Sequence, residues 1–166
     1  KCFEVANKMK VPEVASRMYN DIITEIDFYD KDFMYALFVK IENISELTDT
    51  YLPLSYLLIK TTEGNINDSL ELLSKIKHYN DKVDILWEIF SSIENGEIHI
   101  DIKKVNNSLI NFIEKEYEEI DAEELLDKLS HLVNLSGTRK SSGKSKQSQG
   151  KMRTDAQPGK PEKPQG

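Results

Sequence analysis

The stretch Leu54-Ser55-Tyr56-Leu57-Leu58-Ile59-Lys60-Thr61-Thr62-Glu63-Gly64-Asn65, continued by Ile66-Asn67-Asp68-Ser69-Leu70-Glu71-Leu72-Leu73-Ser74-Lys75-Ile76, holds two helical periods separated by one breaker. Leu54, Leu57, Leu58 and Thr61 fall at the i, i+3, i+4, i+7 spacing of a single helix face. Leu70, Leu73 and Ile76 repeat that spacing in the second half. Between them, Glu63-Gly64-Asn65 is a helix stop, with Gly64 expected in the left-handed conformation just past the helix end. Asn67 or Asp68 is then expected to cap the second helix. Helices joined by so short a link lie antiparallel as a hairpin. One hairpin cannot cover its own apolar stripes, so neighbours must stack on it.

The same period continues in both directions. Gly64 is the only glycine before Gly96, and Pro12 and Pro53 are the only prolines before Pro158. Pro12 suits a first helical position, after which Val14, Met18, Ile22 and Ile26 share a face widened by Ala15 and Tyr19. Asp30-Lys31-Asp32 offers an N-cap and an acidic first turn to a helix with Phe33, Leu37, Phe38, Ile41 and Ile44. Residues 45–51 form a weaker element ended by Pro53. Asp81 is expected to start a helix with Val83, Leu86, Trp87 and Phe90 inward, ended by Asn95-Gly96. Ile98-His99-Ile100-Asp101-Ile102 alternates apolar and polar, but a lone short strand has nothing to pair with, so an extended connector is expected. Val105, Leu109, Phe112, Ile113, Tyr117 and Ile120 restore the helical period. Asp121-Ala122-Glu123-Glu124 reads as a capping box opening a last helix with Leu125, Leu126, Leu129, Leu132 and Val133, which Ser136-Gly137 should end. The expected fold is all-α: stacked antiparallel helical hairpins, as a repeat-like superhelix or an irregular bundle.

Charge and composition divide the chain at Asn134–Ser136. Residues 1–135 carry 14 Lys/Arg against 27 Asp/Glu, whereas residues 136–166 carry 8 against 2. The second segment has no Leu, Ile, Val, Phe, Tyr or Trp and cannot build a core. Residues 1–135 are therefore expected to form a helical domain, and 136–166 a disordered basic tail. Cys2 is the only cysteine, which excludes an intramolecular disulfide and favours a reducing compartment. No apolar run approaches the roughly 18 residues of a membrane span. Lys1-Cys2-Phe3-Glu4-Val5 has no signal-peptide character and looks like a helix interior, so the chain is expected to be the C-terminal end of a longer protein.

Residues 54–76 resemble a hairpin of the tetratricopeptide or pentatricopeptide type. Gly64 stands at the turn, small Ser69 where the two helices cross, and Leu70, Leu73 and Ile76 on the buried face. Val14-Ala15-Ser16-Arg17-Met18-Tyr19 resembles the second helix of such a unit, with Ala15 as its small residue. No period of about 34 residues runs through the chain, so an irregular repeat and a non-repeating bundle both stay open. The resemblance implies a binding scaffold without intrinsic catalysis. Its pentatricopeptide form would imply single-stranded RNA as ligand. An acidic body in which Arg17 is the only arginine before residue 139 disfavours RNA.

The densest charge is Glu114, Glu116, Glu118, Glu119, Asp121, Glu123, Glu124 and Asp127. Such a cluster serves as a solvated helix face, as a contact for the chain's own basic tail, or as a dock for a basic protein. For that last role the candidate residues are Glu116, Glu119, Glu123 and Glu124. His78, His99 and His131 stand singly, Asp27, Asp30 and Asp32 lack the glycine and closing glutamate of a calcium loop, and no phosphate-binding or nucleophile motif occurs. Neither a catalytic residue nor a cofactor nor a metal is expected. Trp87, Phe90, Tyr79 and Tyr56 read as core rather than as a partner anchor, with Tyr117 and Tyr51 half exposed. Four Asn-x-Ser tripeptides begin at Asn43, Asn67, Asn106 and Asn134, which matters only in a secreted protein. Arg139-Lys140-Ser141-Ser142 has the basic-then-serine form of a kinase substrate, making Ser141 and Ser142 candidate modification sites. The function expected is a protein-interaction scaffold, cytoplasmic or nuclear and off the membrane. An RNA-associated helical repeat and a secreted cytokine-like domain are the alternatives.

Overall fold

In the computed structural model, residues 4, 5, 8, 10–48 and 50–142 are described, the last four by backbone alone. Cys2 and residues 143–166 lie outside the described residues. Seven helices and no strand occur among those described: α1 (Pro12–Thr24), α2 (Lys31–Thr48), α3 (Leu52–Gly64), α4 (Ile66–Ser74), α5 (Tyr79–Glu94), α6 (Ile102–Glu116) and α7 (Glu119–Ser142). The fold is all-α, as the periodicity predicts. None of these helices is long and apolar enough to cross a membrane.

Local chemistry accounts for most of the boundaries. Pro12 and Pro53 stand in the first turns of α1 and α3, where a missing N–H leaves no bond unmade. Pro53 thus opens a helix, and the weak element expected over 45–51 is largely the continuation of α2 to Thr48. Asp30 Oδ1 accepts the Phe33 N–H at 2.7 Å, the expected cap of α2. Gly96 takes the left-handed conformation, with φ +77°, at the end of α5. The connector over 95–101 contains no strand; it begins as a turn and bend, with the Glu97 and Ile98 N–H groups on the Ser92 carbonyl, and buries Ile98, whereas Ile102 already belongs to α6.

The helices pack in two rows. Substantial contacts join α1 to α3, α3 to α5 and α5 to α7, and smaller ones join α2 to α4 and α4 to α6. Sequential neighbours α1–α2, α2–α3, α3–α4, α4–α5 and α6–α7 also touch. Helices that meet only others one or two places away form a stack of hairpins, in which each unit covers the stripes its neighbour exposes. Leu37, Ile41, Leu57, Leu58, Leu73, Ile85, Leu86, Phe90, Leu109, Ile113 and Leu125 have no exposed surface and lie in one continuous core.

Four local expectations are corrected. The buried stripe of α1 is Ala15, Ser16, Tyr19 and Ile23, so Val14 sits at its edge, because α1 turns its largest ring into the core. Gly64 is the last residue of α3 and lacks the left-handed conformation; a Cβ there would overlap Cγ and Cδ2 of the Tyr29 ring, which lies flush against it. Asn65, not Asn67 or Asp68, caps α4 by accepting both of their N–H groups. Finally, Ser136-Gly137 does not end α7, which continues to Ser142. A glycine inside a helix costs only about 1 kcal/mol, and Gly137 lies beside the Lys103 side chain.

The α3–α4 crossing is close, as small Ser69 predicts. Ser69 is fully buried, its hydroxyl donates to the Leu58 carbonyl at 3.1 Å, and Thr62 Oγ1 lies 2.7 Å from it. A larger side chain there would force the two helices apart.

Candidate partner-binding face at the α6–α7 turn

The turn between α6 and α7 is two residues long and is held from behind by α5. Tyr117 is buried, expected half exposed, and its hydroxyl donates to the Lys82 carbonyl at 2.9 Å. Burial pushes its phenol above the ordinary range, with the nearby Glu116 charge acting the same way. Its ring packs edge-on against Phe112 at 6.0 Å and tilted against Tyr79 at 6.2 Å.

Tyr79 then sets where α7 begins. Its hydroxyl donates to Asp121 Oδ2 at 2.6 Å and accepts the Glu118 N–H at 2.9 Å. The Ala122 N–H reaches the Glu118 carbonyl at 2.8 Å, so α7 starts one turn before the predicted Asp121 cap. Asp121 is therefore the third helical residue. In a capping box that position bonds back directly to the first N–H; here the Tyr79 hydroxyl stands between the two. The expected Asp121–Glu124 box is thereby corrected: Asp121 lies inside α7, and the group that reaches the Glu118 N–H comes from another helix.

The candidate acidic residues divide into two groups. Glu116 belongs to the interior side of the turn: it meets Lys82 at 3.4 Å and Lys115 at 3.8 Å, and the Lys82 and Glu116 side chains are only 13% and 18% exposed. Lys82 also reaches the Ser74 carbonyl at 3.5 Å. Glu116 thus fastens α6 to α5 and offers little to a partner. Glu119, Glu123 and Glu124 are exposed, as is Asp127. At 100° per residue they span an arc of about 140° on the outer face of α7. Ile120, expected in the core, lies inside that arc and is 76% exposed. No ion pair involves these four carboxylates among the described residues.

Several acids elsewhere are matched. Lys31 meets Asp68 and Glu71, each at 3.3 Å, and Lys77 meets Glu46 at 2.8 Å. Glu94 is joined to Lys128, with His131 Nε2 at 3.5 Å. The hydrogen bond from Lys128 holds the Glu94 carboxyl below the usual range against a smaller opposing effect of burial. On the α7 face, residues four apart have Cβ atoms about 5–6 Å from one another, and their carboxylates repel by a few tenths of a kcal/mol per pair. The helix dipole offsets that only in the first turn.

The aromatic residues sort by depth. Phe90 is fully buried, Trp87 and Tyr79 are half-buried against the core, and Tyr56 is exposed. Tyr51 is half exposed, as expected. Two Asn-x-Ser tripeptides end on the buried Ser45 and Ser69. Ser141 and Ser142 close α7 by backbone; their side chains lie outside the described residues. No group of three His, Cys, Asp or Glu capable of holding a metal occurs among the described residues.

No protein-family model matches this chain, and no curated protein or solved structure matches it either.

Proposed function

We propose that this chain is a helical docking module, and that Glu119, Glu123, Glu124 and Asp127 around Ile120 receive a basic segment of a protein partner. The observation that carries this reading is the outer face of α7: unpaired carboxylates surrounding a large apolar side chain that is 76% exposed. Cations from a partner would relieve the repulsion, and Ile120 would supply apolar burial at the centre of a polar rim, the usual anatomy of an interface. The two-row helix stack supports a scaffold of the tetratricopeptide-like kind, since it holds α7 rigidly against α5 and α6. RNA is the poorer ligand, because this face repels phosphate. Phosphorylation at Ser141 or Ser142 would add negative charge near the C-terminal end of the same helix and tune the contact.

The test is capture from cell lysate by the full chain, with and without ribonuclease. It compares the wild type with the triple reversal Glu119→Lys/Glu123→Lys/Glu124→Lys and with a control reversal of the exposed Asp84 and Glu88 on α5. Proteins retained by the wild type and the control but lost at least tenfold with the triple reversal, regardless of ribonuclease, support the proposal. Equal capture by all three chains refutes it, and loss on ribonuclease treatment moves RNA to first place.

A further inference from the structure

The turn that closes α5 carries a dipeptide with chemistry of its own. Asn95 is the only asparagine in the chain that is followed by glycine. It is exposed and ends α5 at φ −74° and ψ −7°, and its side-chain amide makes no hydrogen bond among the described residues. Gly96 follows at φ +77°, where a Cβ would meet nothing within 4 Å. We infer that Asn95 is a self-modification site, at which the Gly96 backbone nitrogen displaces the Asn95 side-chain amide as ammonia and water leaves a carboxylate in its place. The site stands independently of the docking proposed for α7.

The reaction consumes only water. The Gly96 N–H gives its proton to hydroxide, and the nitrogen attacks Cγ of Asn95. The Cγ–N bond forms, the Cγ–Nδ2 bond breaks, and Nδ2 takes a proton from water and leaves as ammonia. Water then opens the five-membered imide at either carbonyl. One opening gives aspartate in an ordinary backbone; the other gives isoaspartate, in which the chain continues through Cγ. Ring closure requires the Gly96 nitrogen to eclipse the Asn95 Cβ, which ψ −7° does not allow, so the 95–96 peptide must first swing. Glycine at 96 permits that swing, because its φ passes through values that a Cβ would bar. The bond given up is Gly96 N–H to the Ile93 carbonyl at 3.2 Å, at the end of a helix. The net contribution of one such bond slows the reaction by about two- to tenfold relative to an unstructured chain.

The product acts on the fold. A carboxylate at 95 adds negative charge between Glu94 and Glu97, at the negative end of the α5 dipole, and favours opening of that end by about two- to fivefold. Isoaspartate also lengthens the backbone by one atom. That pulls the Glu97 and Ile98 N–H groups off the Ser92 carbonyl, which they reach at 2.9 and 3.2 Å, and loosens the buried Ile98.

The experiment incubates the full chain at neutral pH and follows its proteolytic peptides by mass spectrometry, beside a synthetic peptide of residues 90–100. Asn95 should be the first asparagine to lose its amide, about two- to tenfold more slowly than in the peptide. The rate should rise with pH, because the Gly96 amide must lose its proton. Conversion more than tenfold slower than in the peptide, or another asparagine converting first, would overturn the inference. Amide exchange of the separated products tests the consequence. Glu97 and Ile98 should exchange at least about twofold faster in the aspartate product, which Asn95→Asp reproduces without the reaction, and faster again in the isoaspartate product. Exchange unchanged in both would overturn the predicted loosening.

Discussion

Replacing Tyr79 with Phe isolates the contact that starts α7. The substitution keeps the ring, and with it the packing on Tyr117 and the core, and removes only the hydroxyl. Two bonds disappear: the donation to Asp121 Oδ2 at 2.6 Å and the acceptance of the Glu118 N–H at 2.9 Å. A hydrogen bond to a carboxylate contributes about 1.5–3 kcal/mol when buried, and the lower end applies here because Tyr79 and Asp121 are half-buried. An N-terminal helix bond contributes about 0.5–2 kcal/mol, again at its lower end because Glu118 is exposed and water can replace the phenol. The expected loss is about 2 kcal/mol, or roughly 5–10 °C in Tm for a domain of this size. Urea and thermal unfolding followed by circular dichroism measure the total. Amide hydrogen exchange supplies the local readout: Glu118 and the first turn of α7 should lose protection, while α3 and α4 should not. Tyr56→Phe, at an exposed ring, serves as control and should stay within about 0.5 kcal/mol. Stability within about 0.5 kcal/mol of wild type, together with unchanged exchange at Glu118, would refute the bridged cap.

Gly64→Ala sets two effects against each other. Alanine gains up to about 1 kcal/mol of helix propensity, but its Cβ overlaps the Tyr29 ring, and overpacking costs about 1–3 kcal/mol. Net destabilisation is expected in the wild type and stabilisation in a Tyr29→Ala background, measured as a double-mutant cycle in urea. Acid should weaken the α5–α7 contact through Glu94. Its folded pKa lies below the ordinary 4.5, so its contribution is full above that value and fades as pH falls through the folded one. Glu94→Gln should flatten the stability–pH slope below about pH 4.5, and an unchanged slope would exclude the pair as its source. Alkali acts on Tyr117, whose folded pKa is raised above 10.0, so its contribution is full below pH 10 and is lost as pH rises beyond it. In Tyr117→Phe, unfolding titrations above that pH should show one proton fewer released.

How much of the site was visible beforehand can be judged at individual residues. The exposure of Glu119, Glu123 and Glu124 is legible from charge density alone, because an exposed helix face leaves such residues where the sequence puts them. Glu116, three positions earlier, was not distinguishable from them. Its turn inward depends on Lys82, 34 positions away in sequence and adjacent only once the start of α5 meets the end of α6. Ile120 misled in the opposite direction: it keeps the helical period of α6, but the two-residue turn restarts the phase and leaves it outside.

The all-α class, the stacking of hairpins, the capping role of Asp30 and the close crossing at Ser69 follow from the amino-acid sequence by itself. Helix periods and caps depend on residues within one or two turns of each other, and the Ser69 crossing on two helices joined by a single residue, so spacing and side-chain chemistry decide the outcome. The burial of Tyr117, the cap that Tyr79 completes for α7 and the Tyr29 ring on Gly64 were decided by the tertiary structure. Each joins segments distant in sequence, and periodicity says which face of a helix is apolar without saying which neighbour will meet it.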